Sequence, residues 1–436
     1  MRFLDIILYS VVITIVSTNA YAAPTMTINA GDTAWMLVST ALVMIMTPGL
    51  AFFYSGMVHS TNVVATMMHS YMKLCVVSLV WLLCAYSFAF APSVRGIIGG
   101  IDFLAFQHVD QNPAMIAPTI PHLLFAVYQG MFAVITAAII TGAFAERVRL
   151  GAVLLFSMIW IIIVYAPIAH WIWGGGWIAT KIKSLDFAGG AVVHISSGVA
   201  GLVAALWIGK RGSLENGEQS RPHNLPLTIL GAALLWFGWF GFNAGSALSA
   251  SGLAASAFAN TNIAAASAAI IWFIIEYFHK DHSTSLGIIS GSVAGLVAIT
   301  PAAGYVTPLS AVIIGMGGGI VCYIAVSIVK PRLGYDDSLD AFGIHGVGGI
   351  WGALATGLFA TRTINSAGND GVFYGNPSLL WAQFITIIAV ITYTAIMTTV
   401  ILFVIQCIIR IRVSIEEEAK GLDATQHGEV GYNLEL

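Results

Sequence analysis

Charged residues are scarce in this sequence. Asp, Glu, Lys and Arg make up 8% of the 436 residues, whereas 58% are hydrophobic. Soluble domains carry about 25% charged residues. A water-soluble fold could not bury so much apolar surface, and the composition therefore predicts an all-α polytopic membrane protein. The 17 basic residues form no patch of the kind that binds nucleic acid, so we expect no nucleic-acid partner.

Motifs for metal or nucleotide chemistry are also lacking. The sequence contains no phosphate-binding loop, no nucleotide motif and no H-E-x-x-H motif. It has four cysteines, none in a C-x-x-C pair and all in apolar segments: Cys75, Cys84, Cys322 and Cys407. We expect these thiols to be buried and inert, not disulfides or metal ligands. The absences argue against an enzyme and predict no cofactor and no bound metal.

The first stretch, "MRFLDIILYSVVITIVSTNAYA", combines one arginine, an apolar run and a small-residue A-x-A site. This pattern predicts a secretory signal peptide over residues 1–22, with a mature chain that starts outside the membrane. Asp5 beside the apolar run is unusual for such a peptide. The alternative is an uncleaved first membrane helix.

Apolar runs long enough to cross a bilayer begin at eleven places, near residues 33, 62, 122, 150, 188, 226, 256, 285, 306, 340 and 378. Eleven spans and an external N-terminus place the C-terminus inside. The loops then predicted to be internal carry eleven Lys and Arg residues, and the loops predicted to be external carry four. This bias is what the positive-inside rule expects, and it supports the topology.

Two of these runs resemble each other. "DFAGGAVVHISSGVAGLVAALW" begins at Asp186 and "DAFGIHGVGGIWGALATGLF" begins at Asp340, and each places a histidine, His194 or His345, among small residues. Five spans separate them, so the two helices run in opposite directions, as an inverted five-helix repeat predicts. The alternative is coincidence between glycine-rich helices. The repeat would bring the two imidazoles together inside the membrane, where an unused imidazole is costly.

Other residues have more ordinary explanations. Phe132 and Phe242 lie deep in their spans, where a phenylalanine can equally pack or face lipid. Lys73 and His69 share one helix face without an evident role, and Glu276 is interpreted as a charge at a helix end.

Long motifs then identify a family resemblance. Five segments, in order, resemble the ammonium transporter (Amt/Mep/Rh) family, bacterial Amt branch: "PIAHWIWGGGW", "DFAGGAVVHISSGVAGLV", "HNLPLTILGAALLWFGWFGFNAGSA", "DDSLDAFGIHGVGGIWG" and "GLDATQHGE". The resemblance runs from about residue 30 to the C-terminus. It implies a homotrimer in the bacterial inner membrane, with a narrow pore through each subunit. The chain would divide into the signal peptide, an eleven-helix domain over 23–411 and a cytoplasmic tail over 412–436.

The resemblance also implies residue roles. Phe132, Trp173 and Ser246 would recruit ammonium at the outer mouth, supported by Asp186. Phe132 and Phe242 would form a phenyl gate, and His194 and His345 would be the twin histidines that relay a proton at the pore centre. Tyr165 and Trp239 would line the path together with Tyr128, which stands where a phenylalanine is expected. Leu339 is a second departure, because some members have a smaller residue there.

The predicted function is ammonium transport: the outer site recruits NH4+, and ammonia, with or without its proton, passes the histidines. Cation–π attraction and the Ser246 hydroxyl suit that cation. A PII-type signal protein is expected to dock on the loop 210–225 and the tail 412–436. Three alternatives remain open: an ammonium sensor that signals through a partner, an intramembrane enzyme with the histidines as metal ligands, and a conduit for carbon dioxide or methylammonium.

Overall fold

Long apolar helices dominate the structure, a computed structural model that describes residues 26–215 and 222–433. Ten of its helices in this part of the chain are long and apolar enough to cross a membrane. Numbered in chain order together with one shorter apolar helix, the helices are α1 (Ala30–Met57), α2 (Val63–Phe90), α3 (His122–Phe144), α4 (Leu150–Ile172), α5 (Gly190–Ile208), α6 (Leu225–Ala247), α7 (Gly252–Lys280), α8 (Ser285–Ile299), α9 (Pro308–Leu333), α10 (Phe342–Phe359) and α11 (Pro377–Ile408).

Each helix begins within four residues of an apolar run predicted from the sequence. The eighth run is the exception in length, because α8 has only 15 residues. A 15-residue helix is about 22 Å long, which is less than the thickness of a bilayer core. The predicted signal peptide, residues 1–22, lies outside the described residues.

Side-chain caps explain where several helices start. Asn29 accepts a hydrogen bond from the Asp32 amide at the start of α1, and Thr284 accepts one from the Gly287 amide at the start of α8. Pro308 occupies the first turn of α9, where its missing N–H would have no helical partner in any case. These caps satisfy backbone donors that an apolar environment would leave without partners.

Glycines allow the helices to approach closely. A Cβ atom on Gly231 of α6 would collide with the backbone of Phe53 in α1, and one on Gly241 would meet Ser39 of the same helix. Small residues in membrane helices permit such backbone contact, which replaces the hydrophobic driving force available in water. Helices α1 and α6 therefore pack as a tight pair.

The connection between α2 and α3 is more ordered than a plain loop. It contains two short antiparallel hairpins, β1 (Ser93–Val94) with β2 (Ile98–Gly99), and β3 (Pro113–Ala114) with β4 (Ala117–Pro121). These hairpins lie at the end of the bundle that also holds Trp173, which we call the Trp173 end.

The opposite end is held by buried ion pairs and is called the tail end. The Arg211 guanidinium binds Glu146 and Asp336 at 2.5 and 2.9 Å. The Asp336 carboxyl has a lowered pKa, because Arg147 and Arg211 outweigh the burial that would raise it. Residues 412–433 pack here, and Asp423 accepts a hydrogen bond from the Ala65 amide at the start of α2. The described tail is therefore part of the folded body.

The expectation of four buried thiols was wrong. Cys322 is buried and Cys84 is half-buried, but Cys75 and Cys407 are exposed on the outside of the bundle. A Cys on an apolar helix can face lipid as readily as the core, and no sequence pattern indicates which face each of these occupies. All four are free.

Candidate functional site

Helix α5 starts at a carboxylate. The two oxygens of Asp186 accept hydrogen bonds from four successive amides, those of Gly189, Gly190, Ala191 and Val192, at 2.6 to 3.1 Å. The chain turns at Gly189 with φ of 110°, a conformation that favours glycine. Burial raises the pKa of Asp186, while these four amide donors oppose the rise. The helix then opens with a π turn, Gly190–Ile195, that presents His194.

Helix α10 starts in the same way, but at a different residue from the one the sequence suggested. The carboxylate of Asp337 accepts hydrogen bonds from the amides of Ala341, Phe342 and Gly343. Asp337 precedes His345 by eight residues, the interval between Asp186 and His194. The pairing of Asp186 with Asp340 was therefore wrong.

Asp340 corresponds instead to Gly189. It lies three residues after the capping carboxylate and has a φ of 59°. Gly189 lies at the same interval from its own carboxylate and also has a positive φ. Its own carboxylate binds the Lys330 ammonium at 2.5 Å. A motif comparison that matched the aspartate nearest each histidine could not detect this offset, although the "DD" at 336–337 offered an acid at the right interval.

The two histidines meet in the interior. The Nδ1 atoms of His194 and His345 are 3.2 Å apart, and the rings are 5.2 Å apart at an angle of 27°. One Nδ1 must carry the proton and the other must accept it, so the two Nε2 atoms have opposite hydrogen-bonding character. Both imidazoles are buried, with 1% and 5% of their surface exposed.

A small apolar cavity of about 10 Å³ adjoins the histidine pair, and we call it the apolar passage. It is lined by Met46, Leu50, Ile135, Ile139, Val193, Leu235, Trp239 and Phe242 together with the two histidines. The Trp239 indole stacks on His194 with ring centroids 5.4 Å apart. Its Nε1 donates to the Thr300 hydroxyl at 2.9 Å, which fixes the indole plane.

Two phenyl rings separate the passage from the Trp173 end. Phe132 and Phe242 stack with centroids 4.2 Å apart at an angle of 24°. Trp173 meets the Phe132 ring edge-to-face, with centroids 6.0 Å apart. Stacked rings at van der Waals distance leave no open channel between them.

Beyond the phenyl pair lies a cavity of about 390 Å³. Among its lining residues are Phe132, Trp173, Asp186 and Ser246. The Ser246 hydroxyl donates to the Phe242 carbonyl at 2.9 Å, so its oxygen can still accept hydrogen bonds. The Trp173 Nε1 donates to the Asp186 carbonyl at 2.9 Å, which ties the indole to the start of α5. The cavity therefore offers aromatic faces and a hydroxyl acceptor, and none of the described residues that line it has a cationic side chain.

Comparison with known proteins decides the family. Residues 34–432 match the model of the Ammonium Transporter Family. An ammonium transporter of Bacillus subtilis (strain 168) is 54% identical over 402 residues, which are 92% of this chain and 98% of that protein. The crystal structure of Saccharomyces cerevisiae Mep2 superimposes with a TM-score of 0.82 at 37% identity, covering 89% of this chain and 90% of that one. The chain belongs to the ammonium transporter family.

A further structural match has a different description. A solved structure described as a sensor Amt protein is similar to this family member, with a TM-score of 0.84 at 31% identity, covering 91% of this chain and 98% of that one.

Two aromatic residues that the family resemblance implied along the path, Tyr165 and Tyr128, are not among the residues that line the cavity or the apolar passage. Tyr165 packs edge-to-face on Trp81, with centroids 6.0 Å apart, and lines neither space. Tyr128 sits behind Phe132 and turns its hydroxyl toward α6. Within residues 26–215 and 222–433, no three His, Cys, Asp or Glu side chains are grouped so as to hold a metal ion.

Proposed function

We propose that this family member takes up NH4+ at the Trp173 end, removes a proton and conducts ammonia along the apolar passage, with or without that proton. The observation that carries the proposal is the order of the three features. The cavity with Trp173 and Ser246 comes first, the Phe132–Phe242 pair second and the histidine pair third. A site suited to a cation, a hydrophobic constriction and a proton acceptor thus follow one another in that order.

The cavity suits ammonium on chemical grounds. Indole and phenyl faces attract a cation and replace part of its hydration shell. The Ser246 oxygen accepts one N–H hydrogen bond, which potassium cannot donate. The phenyl pair then opposes any ion that remains hydrated, whereas ammonium that has exchanged its hydration shell for aromatic contacts can reach the histidines. Ammonia crosses the apolar space beyond once the proton is lost there.

The histidine pair suits the next step. Neutral imidazoles that share one hydrogen bond present a donor at one end and an acceptor at the other. Such a pair can bind ammonia and pass a proton along the passage. Its interior position supports a functional role, because ionisable groups inside membranes are costly to retain.

We place the Trp173 end outside the cell and the tail end inside, with eleven spans and an inverted five-helix repeat. The Lys and Arg bias between loops supports the orientation. The matching starts of α5 and α10 support the repeat. We further propose a homotrimer in the bacterial inner membrane, a cleaved signal peptide, and a PII-type protein that docks on the tail end.

The sensor function is the second candidate, favoured by the likeness to the sensor Amt protein. A transporter and a sensor differ in whether binding of ammonium is followed by movement of charge or by a change of pH across the membrane.

The test is a current measurement on purified protein in liposomes. An ammonium pulse is expected to give a saturable current, and an equal potassium pulse is expected to give none. A rise in internal pH without current would mean that neutral ammonia passes alone. Silence in both signals would contradict transport and favour the sensor.

His345→Ala then tests the relay. The variant is expected to lose the ammonium current or to admit potassium, because the shared Nδ1 hydrogen bond and the proton acceptor are gone. Wild-type ammonium currents with wild-type selectivity in this variant would disprove a role for the histidine pair.

A further inference from the structure

Tyr128 connects the two helices that build the ammonium cavity. Its ring is buried on α3, one turn before Phe132, and its hydroxyl reaches α6. The oxygen lies 3.0 Å from the carbonyls of both Gly241 and Phe242 and 3.3 Å from the Ser246 hydroxyl. In the described part of the chain, no other side-chain hydrogen bond joins α3 to α6.

The hydroxyl protons of Tyr128 and Ser246 have only a few possible hydrogen-bond acceptors. Tyr128 and Ser246 each have one hydroxyl proton, and both lie within reach of the Phe242 carbonyl. When Tyr128 donates to Gly241, its own oxygen remains free to accept from Ser246. The Ser246 proton then has two acceptors, the Phe242 carbonyl and the Tyr128 oxygen, and neither Phe242 nor Tyr128 lines the cavity. Its lone pairs are thus directed toward the cavity, where an ammonium N–H would need them.

Tyr128 also touches both members of the phenyl pair. Its ring meets Phe132 edge-to-face with centroids 5.0 Å apart, and its hydroxyl binds the backbone of Phe242. One side chain therefore fixes the position of each ring relative to the other, and a phenylalanine here would keep only the ring contact.

The surrounding backbone is shaped to the hydroxyl. A Cβ atom on Gly245 would lie 2.7 Å from the Tyr128 oxygen, closer than atoms can approach. The Ser39 Cβ of α1 lies equally close, so glycine at 245 leaves room for both the Tyr128 hydroxyl and Ser39.

We infer that the Tyr128 hydroxyl is a positioning group that sets discrimination among small N–H cations at the Ser246 site. The inference rests on the proposed function. The hydroxyl aims the Ser246 lone pairs and keeps the phenyl pair closed. Without it, ammonium loses part of a directed hydrogen bond, while methylammonium, which gains from apolar contact, enters a looser gate more easily.

The experiment compares Tyr128→Phe with the wild type in liposomes. We expect the half-saturating ammonium concentration to rise about three- to ten-fold, the worth of one directed hydrogen bond, with the maximal current changed less than about two-fold. The methylammonium-to-ammonium current ratio is expected to rise by a similar factor. A general loss of structure would instead lower the maximal current for both cations.

Tyr54→Phe is the matched control. Tyr54 is also buried, and its hydroxyl also bonds α3, at the Ile139 carbonyl 3.2 Å away, but it lies remote from the cavity. We expect this variant to keep wild-type half-saturation and cation ratio.

A double variant tests whether the Tyr128 hydroxyl acts through Ser246. In a Ser246→Ala background, Tyr128→Phe is expected to change half-saturation less than about two-fold, because the group that it orients is absent. An equal change in both backgrounds, or no change in the cation ratio, would overturn the inference. A wild-type protein that gives neither a current nor a rise in internal pH with either cation would instead refute the proposed function.

Discussion

The starts of α5 and α10 follow one plan and differ in their surroundings. In each, a carboxylate caps the helix, a residue three positions later has positive φ, a π turn follows, and a histidine lies eight positions after the acid. Asp186 lines the cavity at the Trp173 end together with aromatic rings. Asp337 instead lies among charges, since Lys330 and Asp340 are its neighbours.

The comparison shows that two separate features are involved. The capped helix start determines where the histidine lies, and the neighbouring side chains determine the chemistry of each end. The capped start fixes where the imidazole lies, because it fixes the first residue and the phase of the helix. The side chains around each carboxylate differ between the two helix starts. Aromatic faces, which would suit a cation, lie near Asp186, and charged groups lie near Asp337. The acid must remain an acceptor at both ends, and its removal is the strongest way to break the comparison.

Asp186→Ala and Asp337→Ala test the caps. Each leaves buried amides without an acceptor, four in the first case and three in the second. At about 1–3 kcal/mol for each buried donor, we expect both variants to lose more than about 3 kcal/mol, with the larger loss at Asp186. The measurements are the thermal midpoint and the yield of folded protein in detergent.

Asp340→Asn is the control for these caps, because asparagine also tolerates the positive φ at this position. Its carboxylate pairs with Lys330 but is 28% exposed, so the loss should stay below about 1 kcal/mol. A loss at Asp340 as large as that at Asp337 would restore the sequence-based pairing of Asp340 with Asp186.

The second prediction concerns pH at the α10 start. Burial raises the pKa of Asp337 from 3.8 to about 6; Lys330 opposes the rise, and Asp340 adds to it. The folded state therefore holds this proton more tightly than the unfolded state does. Its contribution to the unfolding free energy falls by about 3 kcal/mol as pH rises from about 4 to about 6, and is constant above that.

The measurement is the stability difference between wild type and Asp337→Asn across pH 4–7, which should shrink as pH rises. Asp336→Asn should show the opposite trend, and the change should appear below pH 4, because the ordinary pKa of this carboxyl is 3.8. Its pKa is lowered, so the stability that Asp336 contributes is present above its ordinary pKa and is lost as pH falls toward the folded-state value. Parallel curves for wild type and Asp337→Asn would show that the carboxyl titrates normally.

Much of this architecture was predictable because apolar run length reports a membrane helix directly. The starts of the runs at 122, 150 and 285 are the helix starts in the structure. The proximity of His194 and His345 was also predicted, from the antiparallel direction of two similar helices, and the structure places their Nδ1 atoms 3.2 Å apart.

The remainder depends on contacts that no local pattern encodes. The role of Asp337 required the backbone reversal at Asp340, which a comparison of letters cannot detect. The aromatic character of Tyr128 was evident, but its hydroxyl partners come from α6, 113 or more positions away. The face on which each cysteine lies is likewise a property of the packed bundle.

The smallest expected effects concern the glycines four residues after each histidine. A Cβ atom on Gly198 would strike the backbone nitrogen and Cα of Gly346, whereas one on Gly349 would lie 2.9 Å from the Gly190 carbonyl and 3.1 Å from the His194 Cβ. The contacts at Gly198 would be closer, and they require a larger shift of the neighbouring backbone than the 2.9 Å contact at Gly349. We expect Gly198→Ala to cost about 2–3 kcal/mol and Gly349→Ala about 1 kcal/mol, measured by thermal unfolding.

Gly151→Ala is the neutral reference, since nothing lies within 4 Å of its Cβ position and alanine favours a helix. The two test variants should also differ in transport. Gly198→Ala pushes on the backbone beside His345 and should widen the 3.2 Å Nδ1 separation, which reduces current, while Gly349→Ala should leave most of the current. Equal losses of stability and current in the two variants would mean that α5 and α10 contribute equally to holding the histidines in place. The asymmetry would then be confined to the carboxylates and their neighbours.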